Sequence, residues 1–213
     1  MKWKLAIAGA AMMAAMPIAA KSVPPQDRCG HAEGANQFRM ALAMATANRD
    51  ADLLRPLVDP QVHLDFGGGT GWDLLRERLD DPDYDLWSEL DKVQRLGCGI
   101  FSEDRGGEMY MPYYWAVDPG TDDPFATFFV VGSDVPMHAA RDASSKLVTK
   151  LDWDVVTLID ELSEDQPTLA KVRTASGREG FVAWDRLRSQ VDYRMIVGRR
   201  DGDWRIVTFI AGD

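Results

Sequence analysis

The chain has 213 residues with 24 Lys+Arg against 34 Asp+Glu, a formal net charge of −10 at pH 7. That balance argues against nucleic acid as a partner, because phosphates are neutralised by clustered cations and no basic run longer than Arg199-Arg200 stands out. With 2 cysteines and 3 histidines there is no zinc-spaced Cys/His set, and neither G-x-S-x-G nor H-E-x-x-H occurs, so the common hydrolase and metalloprotease signatures are excluded.

Residues 1–20 read as a signal peptide. Lys2 and Lys4 precede an apolar run from Leu5 to Met16, and Pro17-Ile18-Ala19-Ala20 offers small residues for cleavage after Ala20. The run is shorter than the roughly 20 residues a spanning helix needs, and no later segment suits a span, so a soluble periplasmic or secreted protein is expected. Cleavage removes two lysines and no acids, giving 22 − 34 = −12 for the mature chain. In an oxidising compartment Cys29 and Cys98 are expected to pair. Closing that loop constrains the unfolded chain by roughly 4 kcal/mol on the chain-entropy model. The rival, a catalytic cysteine with His31, conflicts with a second thiol ready to oxidise it.

Residues 21–35 are polar and contain Pro and Gly, a poor setting for regular structure. From Asn36 to about Asn48, Phe38, Leu42 and Ala45 share a helical face. Asp50 can cap a second short helix carrying Leu53, Leu54 and Leu57, which Pro56 and Pro60 should stop. Gln61 to Phe66 alternates Val62, Leu64 and Phe66 with Gln61, His63 and Asp65, a half-buried strand. Thr70 and Asp73 are spaced as a capping box for a helix presenting Trp72, Leu75 and Leu79. Asp85 to Leu96 forms another helix with Leu86, Leu90 and Val93 inward and Gly97 as its stop. Residues 108–131 are strand-like, with aromatic blocks broken by Pro112, Pro119 and Pro124.

From Asp134 to Ser189 short strands follow one another. Val135-Pro136-Met137-His138, Ala143 to Leu151, Leu169-Ala170-Lys171-Val172 and Gly177 to Val182 with Leu187 together resemble a bacterial SH3 (SH3b) domain, over about residues 129–190. Gly177 suits a hairpin needing positive φ, and Gly180 suits close backbone approach. The resemblance implies a small β-barrel that binds wall or peptide ligands. Leu169 stands where the family has an aromatic, so ligand contacts are expected to pass to Trp153, Phe181 and Trp184, for which core packing is the alternative role.

After the barrel, Val191 to Val197 and Trp204 to Ile210 flank Asp201-Gly202, a strong hairpin signal. Trp204 and Ile206 alternate with Val207 and Phe209, so this last strand must bury both faces or carry a bulge. Together with residues 36–69, the segment 191–212 also resembles an NTF2-like α+β cone, which implies that the hairpin returns to the N-terminal sheet. The alternative is a hairpin that extends the barrel.

Three constellations are candidates for chemistry. Gly67 to Gly71 joins a strand to a helix N-terminus, as phosphate loops do, but Asp65 and Asp73 flank it without a lysine. His63 and Asp65 share a strand face and are the candidate acid–base pair of a pocket lined by Trp72, Trp87, Tyr113 and Trp115. Asp81-x-Asp83-x-Asp85 departs from a calcium loop at Leu86 and Lys92. The expected protein is therefore α+β: a signal peptide at 1–20, an α+β domain at 21–128, an SH3b-like barrel at 129–190 and a C-terminal β-hairpin at 191–213. Its expected role is a non-catalytic binding module of the bacterial envelope, with the cell wall, a peptide or an envelope protein as partner and no cofactor or metal. The enzymatic or small-molecule cone with His63 and Asp65 is the alternative.

Overall fold

A computed structural model describes residues 21–101, 107–160 and 168–212; the expected signal peptide lies outside them. The architecture is α+β, with two sheets and four α-helices among the described residues. None of these helices is long and apolar enough to cross a membrane.

The first half follows the helical spacing closely. Helix α1 (Ala35–Asn48) buries Phe38, Leu42 and Ala45. The Asp50 carboxylate accepts the Asp52 and Leu53 amides and so caps α2 (Ala51–Leu54). Strand β1 (Val58–His63) starts earlier than the alternation suggests and ends sooner. Val62 and Leu64 are buried as expected, but Phe66 is 59% exposed, because the chain has already turned into the glycine loop. Helix α3 (Trp72–Asp80) buries Leu75 and Leu79. The anticipated capping box is not used: Gly71 is the N-cap, at φ 96°, and no side chain bonds there. Helix α4 (Leu86–Arg95) buries Leu86, Leu90 and Val93, and Gly97 follows at φ 85°. Its Cβ would meet the Gln26 carbonyl oxygen at 2.5 Å, so glycine is required both by φ and by space.

Strands β2 (Gly99–Ile100) and β3 (Met109–Met111) come next, and then a 3-10 turn, Tyr113–Ala116. The first sheet is completed from the far end of the chain by β11 (Arg194–Arg200) and β12 (Asp203–Ile210), in the order β1-β12-β11-β3-β2. The C-terminal hairpin therefore belongs to the N-terminal sheet and occupies its centre. It turns at Asp201 (φ 53°) and Gly202 (φ 92°), as Asp-Gly favours. Ile196 pairs with Thr208 and Val197 with Ile206, so Val207 is an inserted bulge residue, which lets Trp204, Ile206, Val207 and Phe209 all be buried. The four helices pack on this sheet around Phe38, Leu42, Leu90, Met109, Met195 and Phe209.

Cys29 and Cys98 form a disulfide, with Cα atoms 5.8 Å apart. It joins the N-terminal segment to the residue before β2. That segment has no regular element, as expected, yet it is well tied: Val155 donates to the Lys21 carbonyl and Val23 to the Trp153 carbonyl, each at 2.8 Å.

Residues 127–189 build the second sheet alone. Its strands are β4 (Thr127–Val130), β5 (Val135–His138), β6 (Leu147–Leu151), β7 (Val155–Leu158), β8 (Leu169–Thr174), β9 (Glu179–Ala183) and β10 (Leu187–Ser189). They order as β10-β4-β7-β8-β9-β5-β6. No pairing joins β10 to β6 among the described residues, so the sheet is open along that seam rather than a closed barrel. Alternate residues Phe128, Val130, Met137, Val156, Val172 and Val182 point to one shared core. Gly177 turns the β8–β9 hairpin at φ 80°. A Cβ on Gly180 would lie 2.6 Å from Met137 Cγ, so the crossing of β9 over β5 needs glycine.

Candidate functional site: a cleft between the two sheets

A third apolar cluster joins the halves, with Val23, Leu96, Tyr113, Tyr114, Phe129 and Val155. Tyr114 stacks on Phe129 with ring centroids 4.0 Å apart. Beside this contact opens a cleft of about 940 Å³. Lys92, Arg95 and Leu96, at the end of α4, form one wall. Phe125, Phe128, Val131, Trp184 and Leu187 form the other, and Asp185, Arg188, Ser189, Val191, Asp192, Ala211 and Gly212 complete the lining. The size, the position at a junction and the apolar wall with a few polar groups are those of ligand sites.

The 3-10 turn Trp184–Arg186 places Trp184 at the cleft rim, half-buried, with its ring 5.8 Å from that of Phe128. Phe125 remains 58% exposed. The floor is a buried polar network centred on Arg188, whose residue is 5% exposed. Its Nε donates to the Tyr114 hydroxyl at 3.1 Å, and its Nη2 donates to Glu89 Oε2 at 3.1 Å and to the Tyr193 carbonyl at 2.9 Å. Its Nη1 lies 3.3 Å from Asp192 Oδ2. A single guanidinium thus ties β10 of the second sheet to α4 and to the start of β11. Burial pushes the Tyr114 hydroxyl up to about 12, with Arg188 opposing. Burial likewise holds Asp192 above the usual carboxylate range against the pull of Arg188. Burial works against the charge of Arg188, but Tyr114, Asp192 and Glu89 outweigh it and hold the group above its ordinary value. With Arg188 and Glu89 both buried and Asp192 half-buried, breaking this network is costly.

Of the three aromatic residues expected to carry a ligand, only Trp184 reaches the cleft. Trp153 sits at φ 56° and packs against the inter-sheet cluster. Phe181 is half-buried, with the Arg141 guanidinium 5.3 Å from its ring centroid. Leu169, at the family's aromatic position, is buried.

The His63 and Asp65 pair does not assemble into a pocket. His63 is exposed, while Asp65 bonds to Arg78 and accepts the Gly69 amide at 2.7 Å. The Arg78 hydrogen bond, with the Gly69 amide, lowers the Asp65 carboxyl below its ordinary value, the opposite of what a general acid needs. The interior of the first sheet is filled by packed side chains, including Val62, Leu64, Met109 and Met195. Trp72 and Trp87 pack against that core, and Tyr113 and Trp115 against the inter-sheet cluster. In the glycine loop Asp65 folds back over Gly69, so a carboxylate stands where an anion would sit. Asp81 accepts the Asp83 amide at 2.9 Å as a turn residue. Among the described residues no group of acids, His or Cys is gathered to hold a metal ion.

Sequence reasoning missed Arg188, Phe125 and the contribution of α4. One signal was available: Leu187-Arg188-Ser189 puts a lone arginine at the inward position of a strand, where a buried partner is required.

No family model and no curated protein matches this chain. Among solved structures, a substituted form of Rd1NTF2_05 aligns over 84% of this chain and 97% of that chain, with 15% identity and a TM-score of 0.31. A likeness at that level carries no argument about the fold.

Proposed function

We propose that this protein is an exported, non-catalytic binding module of the bacterial envelope, and that the cleft between its sheets is where it takes its ligand. The observation that carries this reading is the cleft itself: about 940 Å³, lined by Trp184 and Phe125 and by the charged residues Arg188 and Asp192. Two further readings belong to the proposal. The second sheet is an SH3b-like unit left open between β10 and β6; support for this comes from the β4-β7-β8-β9 run, which has β10 returning beside β4 after a 3-10 turn. The first region is an NTF2-like α+β unit, and support comes from the C-terminal hairpin lying at the centre of a helix-covered sheet. The partner belongs to the cell wall, or is a peptide or another envelope protein.

The test is binding of the mature chain to purified peptidoglycan and to a periplasmic extract, with Trp184→Ala alongside. Retention of the wild-type protein that drops severalfold in the variant supports the proposal. Equal retention of the two removes Trp184, and with it the cleft, from the binding site.

A further inference from the structure

Helix α1 turns Phe38, Leu42 and Ala45 inward, and between Asn36-Gln37 and Asn48 its outward face is Met40, Ala43, Met44 and Ala47. None of these outward residues carries a charge. Arg39, the one charged residue of the helix, is held on the flank by Asp27 at 2.6 Å. The other two long helices expose charge instead: Asp73, Arg76, Glu77 and Asp80 on α3, and Lys92 and Arg95 on α4. Met40 and Met44, 66% and 60% exposed, are the most exposed large apolar side chains among the described residues. An apolar stripe on a helix ordinarily faces a core, and this one faces outward opposite the core-facing stripe.

Beside the methionines lies a recess of about 260 Å³ between α1 and α4, lined by Arg39, Ala43, Thr46, Asp91, Gln94 and Arg95. Its polar groups answer one another: Gln94 Nε2 donates to Thr46 Oγ1 at 3.0 Å, Arg95 Nε donates to Asp91 Oδ2 at 2.6 Å, and Arg39 is taken by Asp27. The recess therefore offers room beside the Ala43 methyl and no unanswered charge. Projection and recess sit side by side on one face, which is what a twofold contact uses, because each copy presents the same patch to the other. Charge points the same way. With 34 Asp+Glu against 24 Lys+Arg, two copies repel wherever their acids meet, and the uncharged arc of α1 is where they approach at least cost. A membrane surface fits less well, since interfacial helices set several Lys or Arg beside Trp, Phe or Leu, and α1 has only the paired Arg39.

We propose that this face is a homodimer contact. A second copy of the chain packs its own α1 here about a twofold axis, and Met40 and Met44 of each copy enter the recess beside Ala43 of the other. A helix of 14 residues is about 21 Å long, so the contact belongs to the small class, under about 1,200 Å² in total, and the dimer is weak and reversible. This inference is independent of what the cleft binds.

The experiment is sedimentation equilibrium of residues 21–213 from micromolar to millimolar concentration. The average mass should rise toward twice that of the monomer. Added salt should strengthen the association, because it screens the repulsion between two acidic copies and leaves the apolar contact in place. Met44→Glu puts a carboxylate from each copy at the contact, in a helical position that accepts Glu, and should weaken the dimer about tenfold. Leu147→Glu, at an exposed apolar position of the second sheet, should leave it unchanged. On dilution the methyl resonances of Met40 and Met44 should move most. A monomer throughout the range overturns the inference, as does a dimer that Met44→Glu does not weaken or that Leu147→Glu weakens equally. Partition onto lipid vesicles that depends on Met44, with no dimer in solution, overturns it in favour of a membrane surface.

Discussion

The two sheets bury apolar cores of comparable character but are closed by the chain in opposite ways. The second uses one continuous stretch, residues 127–189, in which each strand lies near its sequence neighbours. In the first, β1 pairs with β12 in parallel, Val58 opposite Ile206, so its central strands arrive only after the whole second sheet has been laid down. The loop-closure cost of the first sheet is correspondingly larger, and its disulfide acts on the side that needs it. The difference bears on the proposed ligand cleft, which lies at the junction, where the edge strand of the locally built sheet meets a helix of the other unit.

Deleting residues 191–213 is the strongest way to break this comparison. It removes the two central strands of the first sheet and should unfold that unit, exposing Phe38, Leu42 and Leu90, while hydrogen exchange still reports protection in β7, β8 and β9. A truncation that keeps α1 and α4 protected would mean the first unit does not depend on the hairpin.

Next in size is Arg188→Ala, which removes the cation facing the half-buried Asp192, leaves Glu89 with Lys92 alone, and should cost about 3 kcal/mol in chemical denaturation, the lower end for a broken buried pair. If Arg188 is the tie between the units, the variant should also unfold in two separable transitions. A single unshifted transition would contradict that role.

Reduction of Cys29–Cys98 should cost about 2–4 kcal/mol, and the loss should appear in the first unit, with β8 and β9 exchange unchanged. A uniform loss across both sheets would show that the units fold as one.

The smallest effect concerns pH. Tyr114 has an ordinary value of 10.0 and is pushed up to about 12 by burial. An acid whose folded value is raised contributes stability that is complete below its unfolded value and is lost as pH rises toward the folded one. The melting temperature should therefore fall between pH 10 and about 12, with Tyr193, also raised by burial, acting in the same direction. Tyr114→Phe should flatten this limb; an unchanged slope would assign the alkaline loss elsewhere.

The helices were legible because Phe38, Leu42 and Ala45, and Leu86, Leu90 and Val93, repeat at the period of one helix face, and the Asp-Gly turn and the Val207 bulge were legible because backbone φ and strand alternation are local. Phe66 was misplaced for a tertiary reason: the glycine loop reverses the chain before its alternation is used. Thr70 was misplaced because Gly71 occupies the cap. At the site, Trp184 was foreseen and Trp153 and Phe181 were not separated from it, since which half-buried aromatic faces a cleft depends on the neighbouring unit. Arg188 finds Tyr114 and Glu89 across 74 and 99 residues of sequence, and no spacing rule reaches that far.

The central claim is tested most directly by following backbone amide and indole resonances of residues 21–213 during titration with solubilised peptidoglycan fragments and with peptides from a periplasmic extract. The account predicts that shifts for at least one of these ligands concentrate in residues 184–192 and 92–96, with the Trp184 indole among the largest. Shifts centred on His63 to Thr70, or on Trp153 and Phe181 with residues 184–192 silent, would contradict it.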